Sequence, residues 1–340
     1  MYLIRGSGQK YQILTQFRGA WIIVDMRKKI AITIGDPAGI GPEVVLKAIM
    51  DRAVHEICSP LLIGDRIVLE QAAKDLNIEI DLGRYDILGT GAVTSADFSR
   101  CSASAPGGHA SVSYIKKAVE LAGMKIVDAI VTAPITKEAL KIAGYPWPGH
   151  TELLAELTGA DRYAMMLCGG PLRVILVTIH TALKNVPTLI TKARVLETIQ
   201  LAQTACTMLG IAEPRIAVAG LNPHAGEAGL FGNEEEEAIL PAVAEARQMG
   251  MPVEGPFPPD TLFHKVYNGE YDIVVCMYHD QGLIPLKMIA FDSGVNVTVG
   301  LPIVRASPDH GTAYNIAWQG IANPSSMIEA IKLAARMKHA

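Results

Sequence analysis

Short apolar runs recur along the chain: KIAITIG, PLLIG, AIVTAP, RVILVTIH, RIAVAGLN, DIVVCMYH and VNVTVG, each bounded by polar or turn-forming residues. Runs of this length, rich in Val and Ile and without polar alternation, read as strands buried on both faces. Between them, residues 111–124, 192–209 and 234–250 place apolar side chains at three- and four-residue spacing, which predicts helices of crossover length. The alternation predicts parallel strands joined by helices, an α/β fold. Clusters rich in Gly and Pro, GYPWPG at 144–149 and GPFPP at 255–259, mark loops or interdomain passages.

Composition narrows the class. The 340 residues divide into two domains at about 150 residues each. Half are hydrophobic and 19% are charged, which excludes a disordered chain or a coiled coil. No apolar run reaches the roughly 18 residues needed to span a bilayer. The 30 basic and 34 acidic side chains nearly balance, and the longest basic block is Arg27–Lys29, so neither nucleic acid nor an anionic membrane is an expected partner. Five dispersed cysteines without a C-x-x-C pair suit reduced thiols and a cytoplasmic setting. Residues 1–25 hold Arg5, Lys10, Arg18 and Asp25 among scattered apolar positions and lack the apolar core of a signal peptide. They read as a leader, disordered or foreign to the natural protein, with Met26 as the start.

Nucleotide motifs are informative by exclusion. No G-x-x-x-x-G-K-[ST] is present, and GTGAVT at 89–94 lacks the third glycine of G-x-G-x-x-G, so neither a P-loop nor a Rossmann site has support. GDPAGIGPEVV, from Gly35, has Pro42 where a first helical turn accepts it, and reads as a tight strand-to-helix turn or as a ligand-facing loop.

His180, His224 and His279 each follow an apolar run, at RVILVTIH, RIAVAGLNPH and YDIVVCMYH. Ligand sites form at the carboxyl ends of strands in open parallel sheets. Three imidazoles there suit a divalent metal with positions left open, acting as a Lewis acid on an alcohol or carbonyl oxygen; three hydrogen-bonded structural histidines are the alternative. Asp280 and Asp260 are candidates to orient a ligand or take a proton. Lys287, Asn296 and Arg305 follow at nine-residue intervals and suit a phosphate or carboxylate, against solvated charges as the plain reading. In GHTE, Thr151 stands near a helix start, where it either caps or helps to bind an anion. His55, His264 and His339 read as ordinary surface or boundary residues.

Taken together, GDPAGIGPE, TAPITK, PGHTE, GLNPHAGE, PPDTLF, MYHDQG, GVNVTVGLP and SPDHGTA, in this order from residue 29 to about 335, resemble the 4-hydroxythreonine-4-phosphate dehydrogenase family of vitamin B6 biosynthesis. The tail from SPDHGTA also resembles the adenine-side segment of isocitrate and isopropylmalate dehydrogenases. The resemblance implies two α/β/α domains with a cleft, of that type and not a Rossmann fold. Residues 26–135 with 281–340 would form the first domain, and 136–280 the second, with dimer contacts.

It implies further that His180, His224 and His279 bind one divalent ion (zinc, magnesium, cobalt or manganese), with His279 supplied by the second subunit of a homodimer. His150, Thr151, Lys287, Asn296 and Arg305 would hold the substrate, with Asp260 and Asp280 near the metal. His310, Gly311 and Thr312 would face the adenosine of NAD or NADP. The implied reaction oxidises 4-phosphooxy-L-threonine at C3 to a β-keto acid that decarboxylates to 3-amino-2-oxopropyl phosphate. A dehydrogenase of D-threonate or D-erythronate 4-phosphate is the alternative, and a metal-dependent hydrolase or aldolase without nicotinamide a more distant one.

Overall fold

The computed structural model describes residues 2–6, 9–17, 20–25, 27–96 and 98–339. The chain divides into two compact units, Met1–Pro148 with Gly311–Ala335, and Gly149–His310 with Arg336–Ala340. The return to the first unit therefore comes at residue 311 and not at 281, because the segment between pairs with strands of the second unit.

In the leader, expected over residues 1–25 as disordered or foreign to the natural protein, the described residues form three antiparallel strands, β1 (Tyr2–Gly6), β2 (Gln9–Phe17) and β3 (Ala20–Asp25), in a sheet of their own. Their sequence is rich in β-branched and aromatic residues, as in WIIV, which favours strands. Met26 lies outside the described residues.

In the first unit β4 (Lys28–Thr33), β5 (Cys58–Ile63), β6 (Asp86–Leu88) and β7 (Ala129–Thr132) pair in parallel in the order β7-β4-β5-β6. β4 and β7 are apolar and buried over most of their length, as the continuous runs predicted. Helix Ala105–Gly123 starts earlier than its periodicity indicated, because the Ser104 side chain accepts a hydrogen bond from the Gly107 amide and Pro106 suits the first turn.

The GTGAV loop is an anion nest whose anion is internal. The Asp65 carboxylate, 5% exposed, accepts from the amides of Thr90 (2.8 Å), Gly91 (2.8 Å) and Val93 (2.7 Å) and from the Tyr114 hydroxyl (2.9 Å). Donors that a phosphate would use are thus committed to a side chain.

The second unit holds β8 (Ala164–Gly169), β9 (Leu172–Leu176), β10 (Ile216–Ala219), β11 (Val253–Phe257), β12 (Ile273–Cys276), β13 (Val295–Val299) and β14 (Arg305–Pro308), in the order β11-β10-β12-β9-β8-β13-β14. β11, β10, β12 and β9 are parallel, but β9-β8-β13-β14 run antiparallel. The expected all-parallel arrangement fails at the tight turn between Gly169 and Leu172, where Gly170 has φ +54° and reverses the chain. One sheet face packs Leu167, Val174, Val274 and Ala217 against Leu262, Val266, Leu283 and Leu286. Helix His279–Ala290 approaches closely because a Cβ at Gly282 would stand 3.1 Å from the Cys276 sulfur and 3.2 Å from Leu176.

Asp65→Ala leaves buried donors unsatisfied and is expected to destabilise the chain by about 3 kcal/mol, against about 1 kcal/mol for Tyr114→Phe, which removes one bond. Urea denaturation checks this: the midpoints should shift in that order with little change of slope.

Candidate functional site

The three histidines begin from one backbone arrangement. β10, β12 and β9 are neighbours, parallel and in register, with Ile216 opposite Ile273 and Val274 opposite Val174. Their carboxyl ends therefore leave the sheet at the same edge, where ligand sites of α/β proteins form. His180 follows β9, His224 follows β10, and His279 follows β12 as the first residue of helix His279–Ala290.

The structure brings two of the three together. The His180 and His279 rings lie 5.7 Å apart at 42° within one chain. They line a pocket of about 320 Å³ with Ile179, Thr181, Leu183, Val186, Tyr278 and Asp280. His279 Nδ1 lies 2.7 Å from Asp280 Oδ1, and donation to that carboxylate would turn Nε2 toward a cation. Burial raises the Tyr278 pKa, so its hydroxyl stays protonated and able to donate. His224 stands apart: among the described residues no three His, Cys, Asp or Glu side chains are close enough to hold an ion together. Two imidazoles, one oriented by a carboxylate, have the donor chemistry of a divalent cation site and form part of the predicted set. Asp260 is exposed in the first turn of helix Pro259–Tyr267, outside the lining of this pocket.

Two of the anion-binding candidates, Asn296 and Arg305, lie on the antiparallel side of the same unit. Arg305 opens β14 and is 1% exposed, with Nη1 donating to the Thr298 hydroxyl at 3.0 Å. Burial pulls its pKa down to about 9, which leaves the guanidinium cationic at neutral pH. Asn296 lies across from Ser307 on β14 and two residues from Thr298, so these polar side chains share a sheet face with Arg305. The Asn296 Oδ1 is buried without a hydrogen-bond partner. Lys287 Nζ lies 3.1 Å from Asp309, so its charge is already partly met within the chain. His150 and Thr151 open helix His150–Thr158, but the N-cap is Gly149 and no side chain caps it, so Thr151 is not the cap. Thr151 is buried and lines a larger cavity of about 850 Å³, with Tyr163, Arg162, Arg194 and Thr198, whose lining contains neither His180 nor His279.

The predicted cofactor segment is divided between the units: His310 ends the long segment of the second, and Gly311 and Thr312 begin the first unit's return. Thr312 is buried and its carbonyl accepts from the Ile40 amide at 3.0 Å; the Tyr314 hydroxyl donates to Asp36 Oδ2 at 2.6 Å, and the Trp318 indole to the Pro37 carbonyl at 3.1 Å. The GDPAGIG turn is buried throughout, with the Ala38 amide donating to Asp36 Oδ1 at 2.9 Å, the Asp36 amide to the Pro134 carbonyl and the Cys101 amide to the Ala38 carbonyl, a pattern that suits a strand-to-helix turn. Gly311 itself is exposed, and a Cβ there would meet nothing within 4 Å.

Sequence reasoning did not single out Thr298, Asp309, Glu235 or Gln281. Thr298 and Gln281 sit inside the quoted motifs GVNVTVGLP and MYHDQG, which is the only signal they give, and Glu235 is hidden in a run of four glutamates.

Against known proteins, residues 56–334 match the model of the pyridoxal phosphate biosynthetic protein PdxA. The chain belongs to the PdxA family. A PdxA relative from Desulforapulum autotrophicum, a 4-hydroxythreonine-4-phosphate dehydrogenase, is 51% identical over 332 residues, covering 92% of this chain and 96% of that protein. A D-threonate 4-phosphate dehydrogenase from Salmonella typhimurium is 45% identical over 325 residues, covering 91% and 99%. The crystal structure of the Klebsiella pneumoniae 4-hydroxythreonine-4-phosphate dehydrogenase superposes with a TM-score of 0.84 at 41% identity, covering 92% and 98%. The predicted α/β class and the predicted family are therefore both met.

Asp280→Asn keeps the shape of the residue and removes the carboxylate that orients His279. Its affinity for zinc is expected to fall about 10- to 100-fold in a calorimetric titration, with an unchanged melting temperature without metal.

Proposed function

We propose that this PdxA-family chain is an NAD- or NADP-dependent dehydrogenase that oxidises a four-carbon acid 4-phosphate at its C3 hydroxyl, with 4-phosphooxy-L-threonine as substrate. The observation that carries the reading is the presence, in one unit, of the His180–His279 edge and the buried cationic Arg305 face. A hydrolase or aldolase would use the first and has no comparable need of the cofactor segment. D-Threonate 4-phosphate is the second reading, favoured by the Salmonella relative. The two acids differ only at C2, amine against hydroxyl, and share the phosphate, C3 hydroxyl and carboxylate for which the residues are suited.

In this reading Arg305 offers two parallel N–H donors to a phosphate or carboxylate and Lys287 a point charge, while the unused Asn296 Oδ1 can accept from the substrate. His150 and Thr151 complete the substrate's hold. His180, His279 and His224 would hold one divalent ion, which when bound supplies Lewis acidity that lowers the pKa of the C3 hydroxyl. Zinc, magnesium, cobalt and manganese are the candidates, and availability decides among them. Asp280 takes the hydroxyl proton: it lies in the histidine pocket, whereas Asp260 does not. His310, Gly311 and Thr312 would hold the adenosine side of NAD or NADP, which when bound would supply the acceptor for the C3 hydride. The β-keto acid so formed releases carbon dioxide, the electrons of the broken C1–C2 bond passing into the adjacent ketone as an enolate, and protonation at C2 gives 3-amino-2-oxopropyl phosphate.

A homodimer accords with the apolar face of helix His279–Ala290. Ile284, Met288 and the following Phe291 are 60%, 85% and 75% exposed at helical spacing, more apolar surface than an isolated chain normally leaves in water. No helix among the described residues is long and apolar enough to cross a membrane, and the five free cysteines suit a reducing, cytoplasmic compartment.

The test is an assay of purified protein with a divalent metal, NAD or NADP, and each acid phosphate. Reduced nicotinamide should form, faster with one acid than the other, and that preference decides the substrate; none formed with any acid overturns the dehydrogenase reading. His224→Ala should lose activity and bound metal together while its circular dichroism stays that of the parent. Unchanged metal content would remove His224 from the site.

A further inference from the structure

The GDPAGIGPE motif has no part in the proposed oxidation, yet its polar groups converge on one distant stretch of the first unit. Residues 311–324, which lead into helix Ser325–Arg336, contain neither helix nor strand. Two of them that are not glycine, Ala313 (φ 42°) and Trp318 (φ 62°), are left-handed, a conformation that L-residues keep only where their surroundings hold them in it.

The motif and the helix it opens supply the hold. The Ile40 amide donates to the Thr312 carbonyl at 3.0 Å, Asp36 Oδ2 accepts from the Tyr314 hydroxyl at 2.6 Å, and the Pro37 carbonyl accepts from the Trp318 indole at 3.1 Å. Further along, Glu43 Oε1 accepts from the Ala322 amide at 2.8 Å, and Lys47 Nζ donates to the Gly320 and Ala322 carbonyls, both at 2.9 Å, as well as to Glu43 at 2.7 Å. Asp36 and Glu43 are buried carboxylates, and a Cβ on Gly39 would stand 3.0 Å from the Thr312 carbonyl oxygen, so the two stretches also meet without a gap.

These bonds give the segment a fixed inner side and an open outer one. Thr312 is buried and Tyr314, Trp318 and Gly320 are half-buried, whereas Gly311, Asn315 and Gln319 are exposed at four-residue spacing. A loop needed only to lead into a helix can be left mobile, as most connections are. One that must present its backbone to a ligand gains from being fixed beforehand, because the cost of ordering it is then met in folding and not in binding.

We infer that Asp36, Glu43 and Lys47 are positioning residues that hold residues 311–322 in the conformation that receives the adenosine side of NAD or NADP. The inference rests on the reading of Gly311 and Thr312 as cofactor contacts, for which Gly311 is suited by an exposed backbone that no side chain shields.

Two variants of the full chain test it at opposite ends of the segment. Tyr314→Phe removes the hydroxyl that reaches Asp36, and Lys47→Met keeps the aliphatic stem and removes the donor to Gly320 and Ala322. In hydrogen exchange without cofactor, residues 311–322 should lose most of their protection while β4 and β7 keep theirs. Calorimetric affinity for NAD or NADP, whichever the parent binds more tightly, should fall about threefold in each variant and about tenfold in the double, following the fraction of chains that keep the segment in its binding form. Lost protection with parental cofactor affinity makes the contacts structural and overturns the inference, as does a loss of protection that spreads to β4 and β7 in both variants. A parent chain that binds neither dinucleotide, or binds one without slowing exchange at residues 311–315, removes the cofactor reading and this inference with it. A parent that binds, with variants that match it in exchange and affinity, removes this inference alone.

Discussion

The parallel, in-register pairing of β10, β12 and β9 is the constraint from which the rest of the candidate site follows. Parallel strands joined by crossover segments all point their carboxyl ends the same way, so residues far apart in sequence emerge side by side at one sheet edge. Reversing any one of these four- to five-residue strands would carry its last residue to the opposite edge, about 13 Å away at roughly 3.3 Å per residue. No choice of side chains would restore the convergence. The buried Val and Ile of these strands are therefore a condition of the site as much as of stability, since their apolar faces under flanking helices hold the three exits level.

The reversal at Gly170 divides the labour within the same sheet. On its parallel side strand ends present imidazoles, and on its antiparallel side strand interiors present Arg305, Thr298 and Asn296. A guanidinium as buried as Arg305 is expensive to desolvate, by several kcal/mol even after relaxation.

Much of this was legible from the chain. Continuous apolar runs located most of the strands, and the recurrence of His after three of them marked the edge, because strand direction in a βαβ pattern is nearly forced. What could not be read follows from physics that is not local. β8 was missed because AMMLCG is buried on nearly every residue and lacks both alternation and β-branching. The antiparallel β13 and β14 depend on one tight turn far upstream, and this is why residues 281–310 belong to the second unit. GTGAVT imitates a phosphate loop, yet Asp65, some 25 residues earlier, occupies its amides, and no window of sequence shows that. His224 resembles the other two histidines in sequence, yet it opens a run of six left-handed residues at which only Gly226 and Gly229 hint.

Cys276 brings out a different kind of selectivity. It ends β12 three residues before His279, near enough in sequence to be a natural sulfur donor, yet it is fully buried and the absent side chain of Gly282 lets the helix close over it. Burial pushes its thiol well above the ordinary range, so it remains protonated. The pocket at the histidine edge is consequently lined by ring nitrogen and by hydroxyl and carboxylate oxygen, with the Cys276 sulfur packed away from it. A soft, thiophilic ion such as cadmium or copper(I) would find no Cys276 thiolate there to prefer, so packing alone would select against it.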